Sequence, residues 1–305
     1  MNNKTNTLPT FPTLSGWLES NMPEVDALIF DIDGVLLVKG KAAEGSNRVM
    51  KMLRREKIPF YLLTNDGDHS TQEKASIIRQ SGLEIFPEEI VSCADGLMEL
   101  PVRAKKRKSR ENGQNPGTIT DDEPFFIMGN LGNPCFAQKA GMNTTRNLEK
   151  INSCQGIIVG ERNYDWEKTI NAAVNFFVKK PYAPLIVPNP DEYYPGSQGE
   201  LCIGAGGVAR FIVQILKTYG ITVTPDYLGK PFTPIFKKTH SLLEEKYGKK
   251  IPLNRILMTG DYINSDIKGA INFGCLSAIV LTGVTTMEML DKSDTLPDMV
   301  FRTLG

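Results

Sequence analysis

Four short segments of this 305-residue chain carry groups whose types and spacing suit chemistry at one site. The first is Asp31-Ile-Asp33-Gly34-Val35. Neighbouring side chains on a strand point to opposite faces, so two carboxylates two residues apart lie on one side if the chain stays extended. The second is Thr64-Asn65, a hydroxyl and an amide in sequence, and the third is Gly229-Lys230-Pro231, a lysine in a restricted loop. The fourth is Gly260-Asp261-Tyr-Ile-Asn-Ser-Asp266, with two more carboxylates. Four buried aspartates would be costly without a compensating cation. Hard oxygen ligands with room for water and substrate oxygens suit Mg²⁺ better than zinc. A lysine and a hydroxyl beside such an ion would supply positive charge and a hydrogen bond to a phosphoryl group. Each aspartate alone has an ordinary reading as a turn or cap residue. That reading is strongest for Asp266, which stands near a helix start.

These groups need elements that bring them together. Asp26-Ala-Leu-Ile-Phe30 is a short apolar run ending at the first carboxylates, as in a parallel strand buried on both faces. Ser46, Val49, Met50 and Leu53 recur at helical spacing. Phe60-Tyr-Leu-Leu-Thr64 is a second apolar strand, closing on the turn Asn65-Asp66-Gly67. Strand, helix and strand make a βαβ unit and imply a parallel sheet, whose ligands lie beyond the C-terminal strand ends. Gly156-Ile-Ile-Val159 and Pro184-Leu-Ile-Val187 read as strands flanking a helix from Trp166 to Phe177, a second α/β unit inserted into the first. Val208, Phe211, Ile212, Ile215 and Leu216 share one helical face. Thr233 and Pro234 read as N-cap and N1 of a helix running to Gly248. Arg255–Thr259 and Ser277–Leu281 are further strands, separated by a helix that Gly274 stops. The expected division is a core of residues 1–91 and 206–305 with an inserted domain of residues 92–205.

Composition narrows the function. Lys plus Arg equals Asp plus Glu at 35 each, so no net field points to nucleic acid or an anionic membrane. The basic run Arg103–Arg110 lacks interleaved aromatics and is followed by Asp121, Asp122 and Glu123; it reads as a solvated loop. The five cysteines are odd in number, widely spaced and free of CxxC pairs. That argues against a disulfide framework or a zinc site and for a reducing compartment. The N-terminal stretch lacks the features of a signal peptide, and no apolar run approaches the ~20 residues of a membrane helix. A cytoplasmic chain is expected.

The order DxDGV, a strand ending in Thr-Asn, then Lys, then GDxxxxD resembles the haloacid dehalogenase superfamily. The segments TND (64–66), PNPDEYYP (188–195), GELCIGAGGVA (199–209), GKP (229–231) and GDYINSDIKGA (260–270) are similar to its subfamily IIA. That group includes nucleotide, pyridoxal-phosphate and p-nitrophenyl-phosphate phosphatases. The resemblance covers roughly residues 24 to 300 and implies a Rossmann-like α/β parallel-sheet core with an inserted α/β cap of the C2 type. It implies that Asp31 attacks phosphorus and that Asp33 protonates the leaving oxygen and then deprotonates water. It gives Thr64 and the backbone amide of Asn65 to the phosphoryl oxygens, and Lys230 to Asp31 and the phosphate. It implies Mg²⁺ on the Asp31 carboxylate, the Asp33 carbonyl and the Asp261 carboxylate, with Asp266 as a ligand or standing just behind the ion. Members that cleave carbon–halogen bonds lack the second aspartate, so Asp33 favours phosphoryl transfer. The implied partner is a small phosphorylated metabolite; members often pair through the cap, which leaves a homodimer open.

Some positions depart from the pattern. Asp66 stands where the subfamily often has a second Asn, and either weakens phosphate binding or forms an Asx-turn. Gly204-Ala-Gly206-Gly207 lacks a full GxGxxG and reads as a return hinge. His69 either faces substrate or belongs to a surface turn. In the loop Gly160–Trp166, Arg162, Asn163 and Tyr164 either contact the leaving group or cap the following helix; Asn189 and Asp191 either act similarly or shape the hinge. Two rival functions remain: a phosphotransferase or mutase on the same site, and a non-catalytic binding protein that kept the fold.

Overall fold

The computed structural model describes residues 8–100, 123–196 and 200–305. The basic run 103–110 lies outside the described residues. The chain divides into two compact units, one of residues 1–64, 71–91 and 230–305, the other of residues 65–70 and 92–229.

The first unit is built on a seven-stranded sheet in the order Thr10–Thr13, Met299–Thr303, Leu276–Val280, Ile256–Gly260, Ala27–Phe30, Phe60–Thr64, Ile90–Ser92. The first six pair in parallel. The central strands read as continuous apolar runs because both faces are buried: Ala27–Phe30, Phe60–Thr64 and Ile256–Gly260 are buried throughout. Helix Ser46–Arg55 turns Val49, Met50 and Leu53 into a core shared with Leu28, Phe30 and Leu62. Register places Phe30 opposite both Leu62 and Thr259. The residues following Phe30, Leu62 and Thr259 therefore emerge along one sheet edge, where an open parallel sheet holds its ligand. The later helix runs Thr233–Tyr247 with Phe232 at the N-cap, one residue earlier than expected, which puts Pro234 inside the first turn where a missing N–H costs nothing.

The second unit carries a five-stranded parallel sheet in the order Asp226–Tyr227, Leu185–Val187, Gly156–Val159, Phe125–Met128, Thr144–Thr145. Its core joins Ile157, Val159, Phe176, Phe177 and Val187 to Val208, Ala209, Ile212 and Leu216. Those last four lie on helix Ala205–Thr218, so this helix belongs to the second unit and the expected boundary at 205/206 falls inside its first turn; the chain returns to the first unit at Lys230. The glycines in the first turn of this helix answer a packing need. A Cβ at Gly206 would stand 2.0 Å from the Pro190 carbonyl oxygen, and one at Gly207 2.4 Å from that of Glu192.

Among the described residues no helix is long and apolar enough to cross a membrane.

Candidate active site

Asp31 follows the last residue of its strand, and its N–H still donates to the Thr259 carbonyl at 2.9 Å. The chain then reverses, with the Ile32 carbonyl accepting the N–H groups of Leu36 and Leu37, both at 2.9 Å. Gly34 makes that reversal with φ +90°. A Cβ at Gly34 would meet Asp261 Oδ2 at 2.2 Å, so glycine is needed twice over, for its torsion and for its missing side chain.

Asp261 follows the Ile256–Gly260 strand in the same way. Its Oδ2 accepts the Val284 N–H at 2.7 Å. Gly283 lies against the same oxygen, where a Cβ would stand 1.8 Å from Oδ2. Gly283→Ala is therefore expected to displace the Asp261 carboxylate and weaken divalent-cation binding by at least about tenfold, as calorimetric titration with Mg²⁺ would read; unchanged affinity would contradict this. Asp266 closes the 261–266 loop by accepting the N–H groups of Asp261 at 3.1 Å and Tyr262 at 3.0 Å on Oδ2. Its Oδ1 faces Lys230. Asp266 is thus both a turn-closing residue and a charged member of the site.

Lys230 is 2% exposed and sits among these groups. Its ammonium donates to Asp31 Oδ1 and Asp266 Oδ1, each at 2.7 Å, and to the Leu63 carbonyl at 3.1 Å. Burial pulls the Lys230 pKa down, yet the carboxylates of Asp266 and Asp31 outweigh it and hold the amine firmly protonated. One cation does not balance three carboxylates. Burial, with Asp266 and Asp261 adding to it against Lys230, pushes Asp31 well above the usual carboxylate range. Burial and the charge of Asp266 push Asp261 up to about 7. Carboxylate oxygens of Asp31, Asp261 and Asp266 lie within 4.8 Å of one another. Such hard, converging, under-compensated oxygens fit a Mg²⁺-like ion.

Asp33 stands outside that trio. Its side chain is 62% exposed and its Oδ2 accepts Lys74 Nζ at 2.6 Å. Sequence reasoning missed Lys74. The available signal was a lysine next to Ala75 and one turn before Ile78, on the face that helix Thr71–Gln80 buries. Gly283 and Val284 were missed too, because nothing in a loop sequence says which backbone will face Asp261. Thr64, 3% exposed, closes its strand beside that of Asp31.

Asn65 and the rest of the 65–70 loop belong to the second unit. The Asn65 amide donates to Asp191 Oδ1 at 3.0 Å, and Asp191 N–H donates to Asn189 Oδ1 at 2.9 Å. Asp66 forms the Asx-turn, its Oδ1 accepting the N–H groups of Asp68 at 3.0 Å and His69 at 3.2 Å. His69 Nδ1 lies 2.9 Å from Asp66 Oδ2. Arg162 forks onto Asp68 Oδ2, with Nε at 2.7 Å. Asn163 has φ +68°, and Tyr164 stacks on Trp166. The N-cap of helix Trp166–Lys179 is Asp165, whose side chain accepts the Lys168 N–H. Arg162, Asn163 and Tyr164 therefore do not cap that helix. Glu161 beside them is buried, accepts Asn189 Nδ2 at 2.8 Å, and is pushed up to about 7 by burial and by the charges of Asp66, Asp68 and Asp191 against that hydrogen bond.

Two family models match the chain. One, described as haloacid dehalogenase-like hydrolase, spans residues 28–117; the other, described as HAD-hydrolase-like, spans residues 227–305. The chain belongs to the haloacid dehalogenase superfamily. The two matches hold Asp31, Asp33 and Thr64 on one side and Lys230, Asp261 and Asp266 on the other. The chain is 23% identical over 285 residues to the acid sugar phosphatase of Staphylococcus aureus, covering 93% of this chain and 97% of that one. Among solved structures it is similar to a 4-nitrophenylphosphatase from Thermotoga maritima, with TM-score 0.70, 24% identity and coverage of 92% and 95%. It is also similar to NagD from E. coli K-12, with TM-score 0.69, 22% identity and coverage of 92% and 97%. These structural likenesses show the α/β fold.

Proposed function

We propose that this haloacid dehalogenase-like hydrolase is a Mg²⁺-dependent phosphomonoesterase that acts on a small phosphorylated metabolite through an aspartyl-phosphate. The observation that carries the reading is the trio of partly buried Asp31 and buried Asp261 and Asp266 converging with Lys230 at the C-terminal edge of a parallel sheet. The names of the similar proteins support it, since they include a sugar phosphatase and a nitrophenylphosphatase.

In this reading an Asp31 carboxylate oxygen attacks phosphorus as the ester P–O bond breaks, and Asp33 gives its proton to the departing oxygen. Asp33 then takes a proton from water as that water attacks phosphorus, releasing phosphate and regenerating Asp31. Thr64 and the backbone N–H of Asn65 hold the phosphoryl oxygens, while Lys230 offsets charge on the transferred group and on Asp31. Asp31, Asp261 and Asp266, with the Asp33 carbonyl, would hold the ion, which supplies Lewis-acid stabilisation of the phosphoryl oxygens and keeps the carboxylates ionised. Arg162, Asn163 and Tyr164 are proposed as leaving-group contacts. A cytoplasmic setting accords with five free cysteines.

The test is phosphate release from p-nitrophenyl phosphate and a panel of sugar, nucleotide and cofactor phosphates, with Mg²⁺ and with EDTA. Release that needs Mg²⁺ supports the reading; no release from any member by folded, Mg²⁺-loaded protein overturns it. A pH dependence follows from Asp261. Its folded pKa of about 7 lies above the ordinary value, so the metal-free fold binds more protons than the unfolded chain between about pH 4 and 7. Stability in EDTA is expected to fall as pH rises across that window, and Mg²⁺ to raise Tm more at pH 8 than at pH 5. Because the ion displaces that proton, its affinity should drop roughly tenfold per pH unit below about 7. A Mg²⁺ effect on Tm independent of pH would contradict this.

A further inference from the structure

We propose that Lys74 is a positioning residue that holds the Asp33 carboxyl group by Oδ2, leaving its other oxygen to carry the proton given to the leaving group. The inference rests on the phosphomonoesterase reading and adds a residue to it.

Asp33 is a short side chain on the turn that Gly34 reverses, and it is mostly exposed. Such a side chain has several staggered wells open to it. Lys74 is the opposite case. Its side chain is 7% exposed, and its helix is fixed by Ala75 and Ile78, which lie in the core of the first unit. The 2.6 Å contact between Lys74 Nζ and Asp33 Oδ2 therefore lends the exposed carboxylate the position of a fixed ammonium.

The pair with Asp33 adds little stability. An ion pair whose acidic partner is this exposed is worth little, because water screens it and both side chains lose freedom. Burying an ammonium stem and head costs desolvation, while a methionine of similar length would fill the same space without that cost. What a methionine could not do is hold the Asp33 carboxylate. The Asp31, Asp261 and Asp266 carboxylates converge with one another and with Lys230; Asp33 does not join that trio and has its cation in Lys74. Two lysines thus divide the acids, one beside the attacking group and one beside the proton donor.

A role through Asp33 differs measurably from a role in folding. p-Nitrophenolate leaves as a stable anion and needs no proton, whereas the alkoxide of a sugar or polyol phosphate does. The parameter to compare is kcat/KM, which covers the steps through phosphoryl transfer to Asp31 and omits the later hydrolysis. Lys74→Met and Lys74→Gln, in the full chain with Mg²⁺, are expected to lower kcat/KM for the best alkyl phosphate by about tenfold or more, a part of the 10²–10⁴ that general acid catalysis supplies. For p-nitrophenyl phosphate the same variants should lose less than about threefold. In an Asp33→Asn background, Lys74→Met should add nothing for either ester, since the group it positions is gone. Two substitutions of different polarity keep the result readable if one fails to fold. Equal losses on both esters, a gain in rate, or losses that multiply in the double variant would overturn the role of Lys74 and leave the phosphatase reading standing. No release of phosphate from either ester by the unsubstituted protein would overturn both.

Discussion

Asp31→Asn is expected to abolish phosphate release without unfolding the protein. The substitution keeps the shape of the side chain and its backbone N–H bond to Thr259, but an amide is no nucleophile at phosphorus. Loss of a covalent nucleophile commonly costs on the order of 10⁴-fold or more in rate. Stability should move the other way. Asp31 is a largely enclosed carboxylate beside Asp261 and Asp266, held well above the usual range chiefly by its loss of water. A neutral amide relieves that penalty, so Tm of the metal-free variant should equal or exceed that of the unsubstituted protein. Phosphate release and a thermal melt in EDTA check both halves. A variant that retains a tenth of the activity would remove Asp31 from the chemistry. A variant several degrees less stable would mean that the Lys230 contact outweighs the repulsion.

Lys230→Met is expected to produce the second large effect, with stability now falling. Its ammonium is the cation shared by Asp31 and Asp266, both at 2.7 Å, and it is almost wholly buried. Removing one partner from a buried ion pair typically costs about 3–5 kcal/mol, because the remaining charge is left uncompensated. Urea unfolding of the metal-free protein should show a loss of that order, partly recovered on adding Mg²⁺. Activity should fall as well, since the phosphate loses its offsetting charge. Combining Lys230→Met with Asp31→Asn should cost less than Lys230→Met alone, as the stranded carboxylate is then gone; a double-variant cycle reads that coupling. Additive losses would mean that Lys230 and Asp31 do not interact energetically.

The opposite signs of these two stability effects come from one arrangement, and much of that arrangement was legible in the chain. Apolar runs that end in Asp31, Thr64 and Asp261 announce strands buried on both faces with their polar groups at one edge. A parallel sheet leaves such residues no other place, so residue order alone brought them to one side. Spacing also explains Lys230, which stands just before a helix whose first turn holds Pro234. Other features were ambiguous for a physical reason. Asp266 reads as a cap from sequence and is both a turn-closing acceptor and the partner of Lys230, because its two oxygens face different ways. The helix Ala205–Thr218 has a core-facing stripe, and a stripe says that a helix is buried but not against which sheet.

The class of fold, the set of acids and the lysine beside them could be read from the chain alone, because periodicity and strand-end position are local properties. Packing in three dimensions settled which groups pair. It placed residues 65–70 and the helix from Ala205 with the second unit, gave Arg162 to Asp68, pressed Gly34 and Gly283 against Asp261, and set Lys74 on Asp33. Each of these joins residues that are distant in sequence or separated by a turn of unpredictable geometry. Such contacts are fixed by how elements pack, and packing is a property of the folded whole that no local pattern encodes.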